Sequence, residues 1–271
     1  MQKKEINFLK RKTKEIRKKV LTMLCKARSG HTGGSLSCVE ILVSLYYKIM
    51  RHDPKNPQWE DRDRFILSKG HAAPTLYAVL ADLGYFDEKL LDSLRKLGSP
   101  LQGHPMTKVP GIEVPTGSLG HGLSMANGMA IAGRIDKKDY HVYCLLGDGE
   151  LQEGEVWEAA MTAGHRRLSN LVAIVDNNDQ QLDGFIRDVK NIYPIEDKFR
   201  AFGWNAVSVN GHEFPGLLSA LQMAKEERER PTVIIAKTVK GKGVSFMENN
   251  LEFHGRAPTE EELKWALMEL G

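Results

Sequence analysis

Cysteine is scarce in this chain: Cys25, Cys38 and Cys144 are the three in 271 residues, and no two form a CxxC pair. That excludes a disulfide framework and a cysteine-built zinc or redox site, leaving three buried thiols of a reducing compartment as the expectation. No apolar stretch approaches the ~20 residues of a membrane span, and the N-terminus lacks the apolar core of a signal peptide. Charge of one sign is also missing. Lys and Arg number 38 against 35 Asp and Glu, and a net +3 is too small to imply nucleic acid or a membrane surface as partner. No GxGxxG follows a strand, no GxxxxGK[ST] occurs, and no HExxH or Cys/His spacing suggests zinc. A soluble, cytoplasmic protein is expected.

What is present has an alternating order. The opening stretch, residues 1–28, is rich in Lys and Arg, but Leu9, Ile16, Val20 and Leu24 fall on one stripe, which predicts an amphipathic helix packed on the body. Strands are predicted at Arg64–Leu67, His141–Leu146, Leu171–Val175, Ala206–Val209 and Val233–Lys237, all apolar enough to be interior strands of a parallel sheet. Helices are predicted at Leu36–Met50, Ala73–Leu83, Gly122–Arg134, Glu155–Arg167 and Glu213–Arg228. This pattern reads as an α/β fold, a doubly wound parallel sheet with helices on both faces, formed by residues 1–271 as one domain. Two long irregular stretches, 98–120 and 180–194, are the natural carriers of function.

The stretch "YCLLGDGELQEG", Tyr143–Gly154, ends an apolar run by presenting Asp148 between two glycines. In doubly wound sheets ligands bind at the carboxyl ends of strands, near helix N-termini that offer free N–H groups to phosphate. A carboxylate there would repel a bare phosphate, so its natural task is to hold a divalent cation, magnesium above all, between itself and the phosphate. One strand–helix–strand unit later comes "VDNNDQQLDG", with Asn178 30 residues beyond Asp148 and at the same sheet edge.

The histidines carry a second signal. Seven of the nine, His31, His71, His104, His121, His165, His212 and His254, adjoin a glycine. Histidines on glycine loops are placed to meet a ligand, and without metal spacing their roles are polar and acid–base.

The GDG and NN pair, with "SGHTGGSLS" near the start and "FHGRAPTEEELKWAL" near the end, resembles the N-terminal part of transketolases, thiamine-diphosphate enzymes. The resemblance covers nearly the whole chain. It implies that Asp148 and Asn178 bind magnesium (calcium or manganese as substitutes) by side chain and Gln180 by its backbone carbonyl, with Asn178 and Gly149 against the diphosphate. "KGHA" and "HGRAP" would place His71 and His254 on the diphosphate, His254 also near substrate. "SGH" and "GHP" would place His31 and His104 on donor-sugar hydroxyls, assisting proton transfer. "TGSLGHG" would cradle the cofactor through Gly117, Ser118 and Leu119. Glu153 and Glu158 would belong to an acidic link between paired active sites. His165 and His212 read as structural. Thr32 and Ser118 stand where many transketolases carry proline, and His121 where the family usually has another polar residue.

Single-chain transketolases continue into two further domains that supply the cofactor-activating glutamate and the sugar-phosphate site. The resemblance is therefore to the N-terminal subunit of a split transketolase of pentose phosphate metabolism, active with a C-terminal partner subunit in an α2β2 assembly and acting on sugar phosphates. Its alternatives are a transketolase for modified sugars, a relative condensing pyruvate with a triose phosphate, and a non-catalytic cofactor-binding regulatory module. "LQGHP" and "TGSLGHG" favour transketolase over the pyruvate-using relative.

Overall fold

Five strands carry the molecule, and alternation along them decides what packs where. In the computed structural model, which describes residues 3–271, the elements run α1 Lys3–Ala27, α2 Thr32–Ser37, α3 Val39–Ser44, β1 Arg64–Leu67, α4 Ala73–Leu83, α5 His121–Ile135, β2 Val142–Gly147, α6 Gly154–His165, β3 Leu171–Asn177, α7 Ile186–Val189, α8 Ile195–Ala201, β4 Asn205–Asn210, α9 Phe214–Glu226, β5 Thr232–Lys237 and α10 Glu260–Leu270. The sheet order is β1-β2-β3-β5-β4, and every pairing is parallel. Tyr143, Leu145, Val172, Ile174, Ile234 and Ala236 point into one buried cluster with α1, α3, α4 and α9. Their neighbours Cys144, Leu146, Ala173, Val175, Val233 and Ile235 point into the other, against α5, α6 and α8. Sheet residues buried on both faces are what a parallel sheet between two helix layers requires. The expected doubly wound fold is the observed one.

Helix α1 buries the predicted stripe, with Glu5 in its first turn and Lys26 in its last, both favourable to the helix dipole. Its first two predicted residues, 1–2, lie outside the described residues. The basic side is not wholly solvated. Arg17 is buried, forks onto Glu40 at 2.8 and 2.9 Å, and His212 Nδ1 stands 3.0 Å from the same carboxylate. The Glu40 carboxyl is held down at about 2; burial opposes this, and Arg17 and His212 overcome it.

Three expectations are corrected. The helix expected over Leu36–Met50 breaks at Cys38 and ends in a π-helical turn, Leu45–Ile49, after starting earlier at Thr32. Strands β1 and β4 are not interior: they are the sheet's two edges, β1 paired with β2 alone and β4, half-buried to exposed, paired with β5 alone. The stretch 180–194 holds the short helix α7. Elsewhere the sequence marks its own boundaries. Pro74 opens α4 and Gly84, at φ +86°, closes it, while Thr259 and Glu262 form a reciprocal cap on α10.

Candidate cofactor site

Because all strands run the same way, their carboxyl ends share one edge, and a cavity of about 380 Å³ opens there. Strand β2 ends at Gly147 and delivers Asp148 into it; β3 ends at Asn177 and delivers Asn178 and Gln180. Asp148 is almost fully buried. Its Oδ1 accepts from the Gly149 N–H at 2.8 Å, and its Oδ2 from Asn177 Nδ2 at 3.1 Å and the Asp179 N–H at 2.6 Å. Burial, and then the neighbouring Asp176 charge, push its carboxyl up to about 6. Asn178 Oδ1 accepts from the Gln180 N–H at 3.2 Å, and the Gln180 carbonyl accepts from Lys240 Nζ at 3.2 Å.

Facing these oxygens are four imidazoles from four separate segments. His31 sits at the start of α2, its ring centroid 5.2 Å from His71, 6.4 Å from His104 and 5.6 Å from His254. The His71 and His254 rings lie 6.0 Å apart and 21° from parallel. The close approach depends on glycine. A Cβ at Gly34 would lie 3.1 Å from His71 Nε2, and one at Gly117, where φ is +136°, would lie 2.8 Å from His104 Cδ2. Burial drives all four imidazoles towards the neutral form. His31 falls to about 4, helped by His104 and Arg95; His254 falls to about 4, helped by Lys240; His71 and His104 move the same way. His31 Nδ1 is buried without a partner. Leaving a buried imidazole nitrogen bare costs on the order of 1–3 kcal/mol, which a hydroxyl donor in the cavity would offset.

The structure thus brings Asp148, Asn178, Gln180, Gly149, His31, His71, His104, His254, Gly117, Leu119 and Glu153 to one cavity. Ser118 and Glu158 are not among its lining residues. Ser118 turns outward in the loop before α5, and Glu158 stands exposed on α6. His121 begins α5 with Nδ1 3.3 Å from Glu155 Oε2, half-exposed. His212 is tied to Glu40 and accepts from the Val239 N–H at 2.8 Å, away from the cavity.

Sequence reasoning passed over the charged residues beneath the histidines. Lys240 lines the cavity and donates to His254 Nδ1 at 2.8 Å; burial, with Lys69 beside it, lowers its ammonium to about 8. Its position before Gly241 was the same signal that singled out the histidines. Lys69 and Asp176, both fully buried, pair directly. Glu150, also buried, accepts from the Gly120 N–H at 2.9 Å, the Gly147 N–H at 3.0 Å and the Ser68 hydroxyl.

The donor set suits a hard cation and a diphosphate. Asp148, the Asn178 amide oxygen and the Gln180 carbonyl are all oxygens, the ligand type magnesium takes, and two lysines and neutral imidazoles flank them for phosphate oxygens. Among the described residues no three His, Cys, Asp or Glu side chains could hold a metal together. A set of one carboxylate, one amide and one backbone carbonyl does not require such a group.

Comparison with known proteins decides the family. A model of the transketolase thiamine diphosphate binding domain matches residues 9–271. The chain belongs to the transketolase N-terminal family. The 6-deoxy-6-sulfo-D-fructose transketolase subunit of a Clostridium species (strain MSTE9) is 47% identical over 94% of this chain and 93% of its own length. A subunit of the apulose-4-phosphate transketolase of Phocaeicola vulgatus is 41% identical over 98% of this chain and 95% of its own. Among solved structures, the transketolase of Campylobacter jejuni superposes with a TM-score of 0.93 at 36% identity. That match covers 98% of this chain but 43% of the other, so the chain spans less than half of that transketolase. No helix of the described residues is long and apolar enough to cross a membrane.

Proposed function

We propose that this chain is the cofactor-binding subunit of a two-chain transketolase whose sugar substrate is a modified one. The observation that carries the reading is the single cavity at the strand ends, with an oxygen wall from Asp148, Asn178 and Gln180 opposite four neutral histidines. Asp148, Asn178 and the Gln180 carbonyl would hold magnesium, which would neutralise the diphosphate charge there. Gly149, His71, Lys240 and Lys69 provide the remaining diphosphate contacts, and Gly117 and Leu119 face the rings. Thiamine diphosphate, when bound, supplies the electron sink for the pair of electrons left when a ketose loses its C2–C3 bond.

The chain's own residues act on hydroxyls and protons. His31 and His104, held uncharged by burial, accept hydrogen bonds from donor-sugar hydroxyls. As the carbon–carbon bond breaks, the C3 hydroxyl proton passes to an imidazole and the aldose departs. The reverse transfer returns that proton when the two-carbon unit joins the acceptor aldehyde. His254, at the junction of diphosphate and sugar, orients both.

Two supports favour a modified sugar over an ordinary ketose phosphate. The relatives matching at full length are subunits named for sulfofructose and apulose phosphate. Thr32, which is buried and donates to the Arg256 carbonyl at 2.6 Å, departs from the family's proline beside His31. The test mixes this chain with a C-terminal transketolase-like partner, thiamine diphosphate, magnesium and an aldehyde acceptor. The donors are 6-deoxy-6-sulfofructose, apulose 4-phosphate and fructose 6-phosphate, each run also with either chain alone. The mixture should transfer ketol units from a modified donor at least tenfold better than from fructose 6-phosphate. Robust transfer by the single chain would sink the two-chain reading, and a preference for fructose 6-phosphate the modified-sugar one.

A further inference from the structure

Beneath the oxygen wall lies a carboxylate to which the proposed chemistry gives no task. Asp176 is fully buried at the end of β3, two residues before Asn178. It accepts from Ser37 Oγ at 2.5 Å, from Asn178 Nδ2 at 3.5 Å, and from Lys69 Nζ and Thr238 Oγ1. Its backbone carbonyl accepts from the Asp148 N–H at 3.3 Å. Burial opposes its charge, but Lys69 and the hydroxyls outweigh this and keep the carboxyl below its ordinary range, so it is ionised.

Each donor belongs to a segment that carries a cavity residue. Ser37 closes α2, which begins beside His31; Lys69 precedes the turn bearing His71; Thr238 leads to Lys240. The fourth donor is the amide of Asn178 itself. An amide is nearly symmetric in shape, and only its partners decide which end faces the cavity. Nδ2 is turned towards Asp176, Oδ1 accepts from the Gln180 N–H, and Asn178 lines the cavity, so the partner at Nδ2 fixes which end is the oxygen.

We infer that Asp176 is a positioning residue of the cation site: through the Asn178 amide, Lys69 and Thr238 it fixes which oxygens face the cation and how far apart they stand. This rests on the cofactor reading above. A merely structural role is the competing account, because a buried charge pair broken from one side destabilises a fold whatever stands beside it. The two differ in what they do to the folded molecules. A structural loss lowers the melting temperature and leaves the affinity of the folded fraction alone, whereas a positioning loss changes affinity and, with it, the choice of cation.

The experiment measures thiamine diphosphate binding by calorimetry in magnesium and in calcium, using the full chain with its C-terminal partner. Asp176→Asn keeps an acceptor oxygen but gives up the charge and one lone-pair face. It should weaken binding by roughly ten- to a hundredfold, the usual cost of removing an outer partner of a metal site, and change the magnesium-to-calcium affinity ratio several-fold. Thr238→Val is nearly isosteric, leaves the ion pair intact and removes one hydrogen bond to Asp176. It should weaken binding by about fivefold, which keeps the test open if Asp176→Asn does not fold. A folded Asp176→Asn protein with wild-type affinity and cation ratio overturns the inference, as does wild-type binding by Thr238→Val when the first variant is insoluble. If the folded wild-type complex binds no thiamine diphosphate, the cofactor reading falls, and this inference with it.

Discussion

The two walls of the cavity are built by opposite means. The oxygen wall grows directly from the ends of β2 and β3, and its Asp148 already takes three internal hydrogen bonds. The histidine wall is assembled from four segments far apart in the chain, and its His31 leaves a ring nitrogen without a partner. Regular structure thus delivers the oxygen wall, the one to which the proposed reading assigns a small cation. Short turns and loops that approach closely at Gly34 and Gly117 form the histidine wall, to which the same reading assigns the sugar. On the proposed reading the difference makes chemical sense: an octahedral ion would tolerate little displacement of its ligands, whereas hydroxyl contacts would tolerate more.

The largest break in that comparison should come from the oxygen wall. Asp148→Ala removes the carboxylate ligand, and calorimetry should show magnesium-dependent thiamine diphosphate binding weakened beyond the hundredfold seen for outer partners. Circular dichroism should still report a folded chain; unchanged affinity would remove Asp148 from the cation site. On the facing wall, His31→Ala and His104→Ala should each lower turnover on the order of a hundredfold in the two-chain enzyme while thiamine diphosphate stays bound. Wild-type rates would demote both to bystanders.

A smaller effect separates the walls by proton. The pKa values of His31 and His254 are depressed to about 4 in the folded chain from an ordinary 6.5. Their stabilisation is therefore whole above pH 6.5 and is lost as pH falls through about 4. Asp148 runs the other way. Its folded pKa is raised to about 6 from 3.8, so without a cation it costs stability as pH rises through that window. Melting curves of cation-free protein between pH 4 and 7 should show His31→Asn/His254→Asn losing less on the acid side. Asp148→Asn should melt several degrees higher than wild type near pH 7. Parallel profiles for all three proteins would show that neither wall is desolvated in the way described.

How much of this was readable beforehand follows from what kind of signal each part leaves. The sheet was legible because a strand buried on both faces writes an uninterrupted apolar run, as in β2 and β3. Strands β1 and β4 were misjudged as interior because apolar runs such as Phe65, Ile66 and Leu67 or Ala206 and Val207 look the same whether one neighbour or two lie beside them. The break within Leu36–Met50 was hidden, since a single non-helical residue, Cys38, between two short helices leaves no gap in the apolar pattern. Asp148, Asn178 and four of the seven histidines beside glycine do meet at one cavity, because strand ends and glycine turns gather at that edge of the sheet; His121, His165 and His212 show that the glycine signal alone does not select it. Lys69, Asp176 and Glu150 were missed because their partners lie 107 and 82 residues away in sequence, beyond any local pattern. Asp176 did leave one trace, a charge that follows the apolar run "LVAIV" while still inside the buried strand.

Glu150 bears on how this protein breathes. Its carboxylate grips the Gly120 amide at the end of an irregular stretch and the Gly147 amide at the end of β2, and burial raises its pKa above the usual carboxylate range. A loop fastened in this way opens with the sheet, not ahead of it. In deuterium exchange the Gly120 amide should therefore lag with the central strands, while neighbours such as Ser118 exchange early. The cradle for the cofactor would then be in place before any ligand arrives, and binding would have no loop to order.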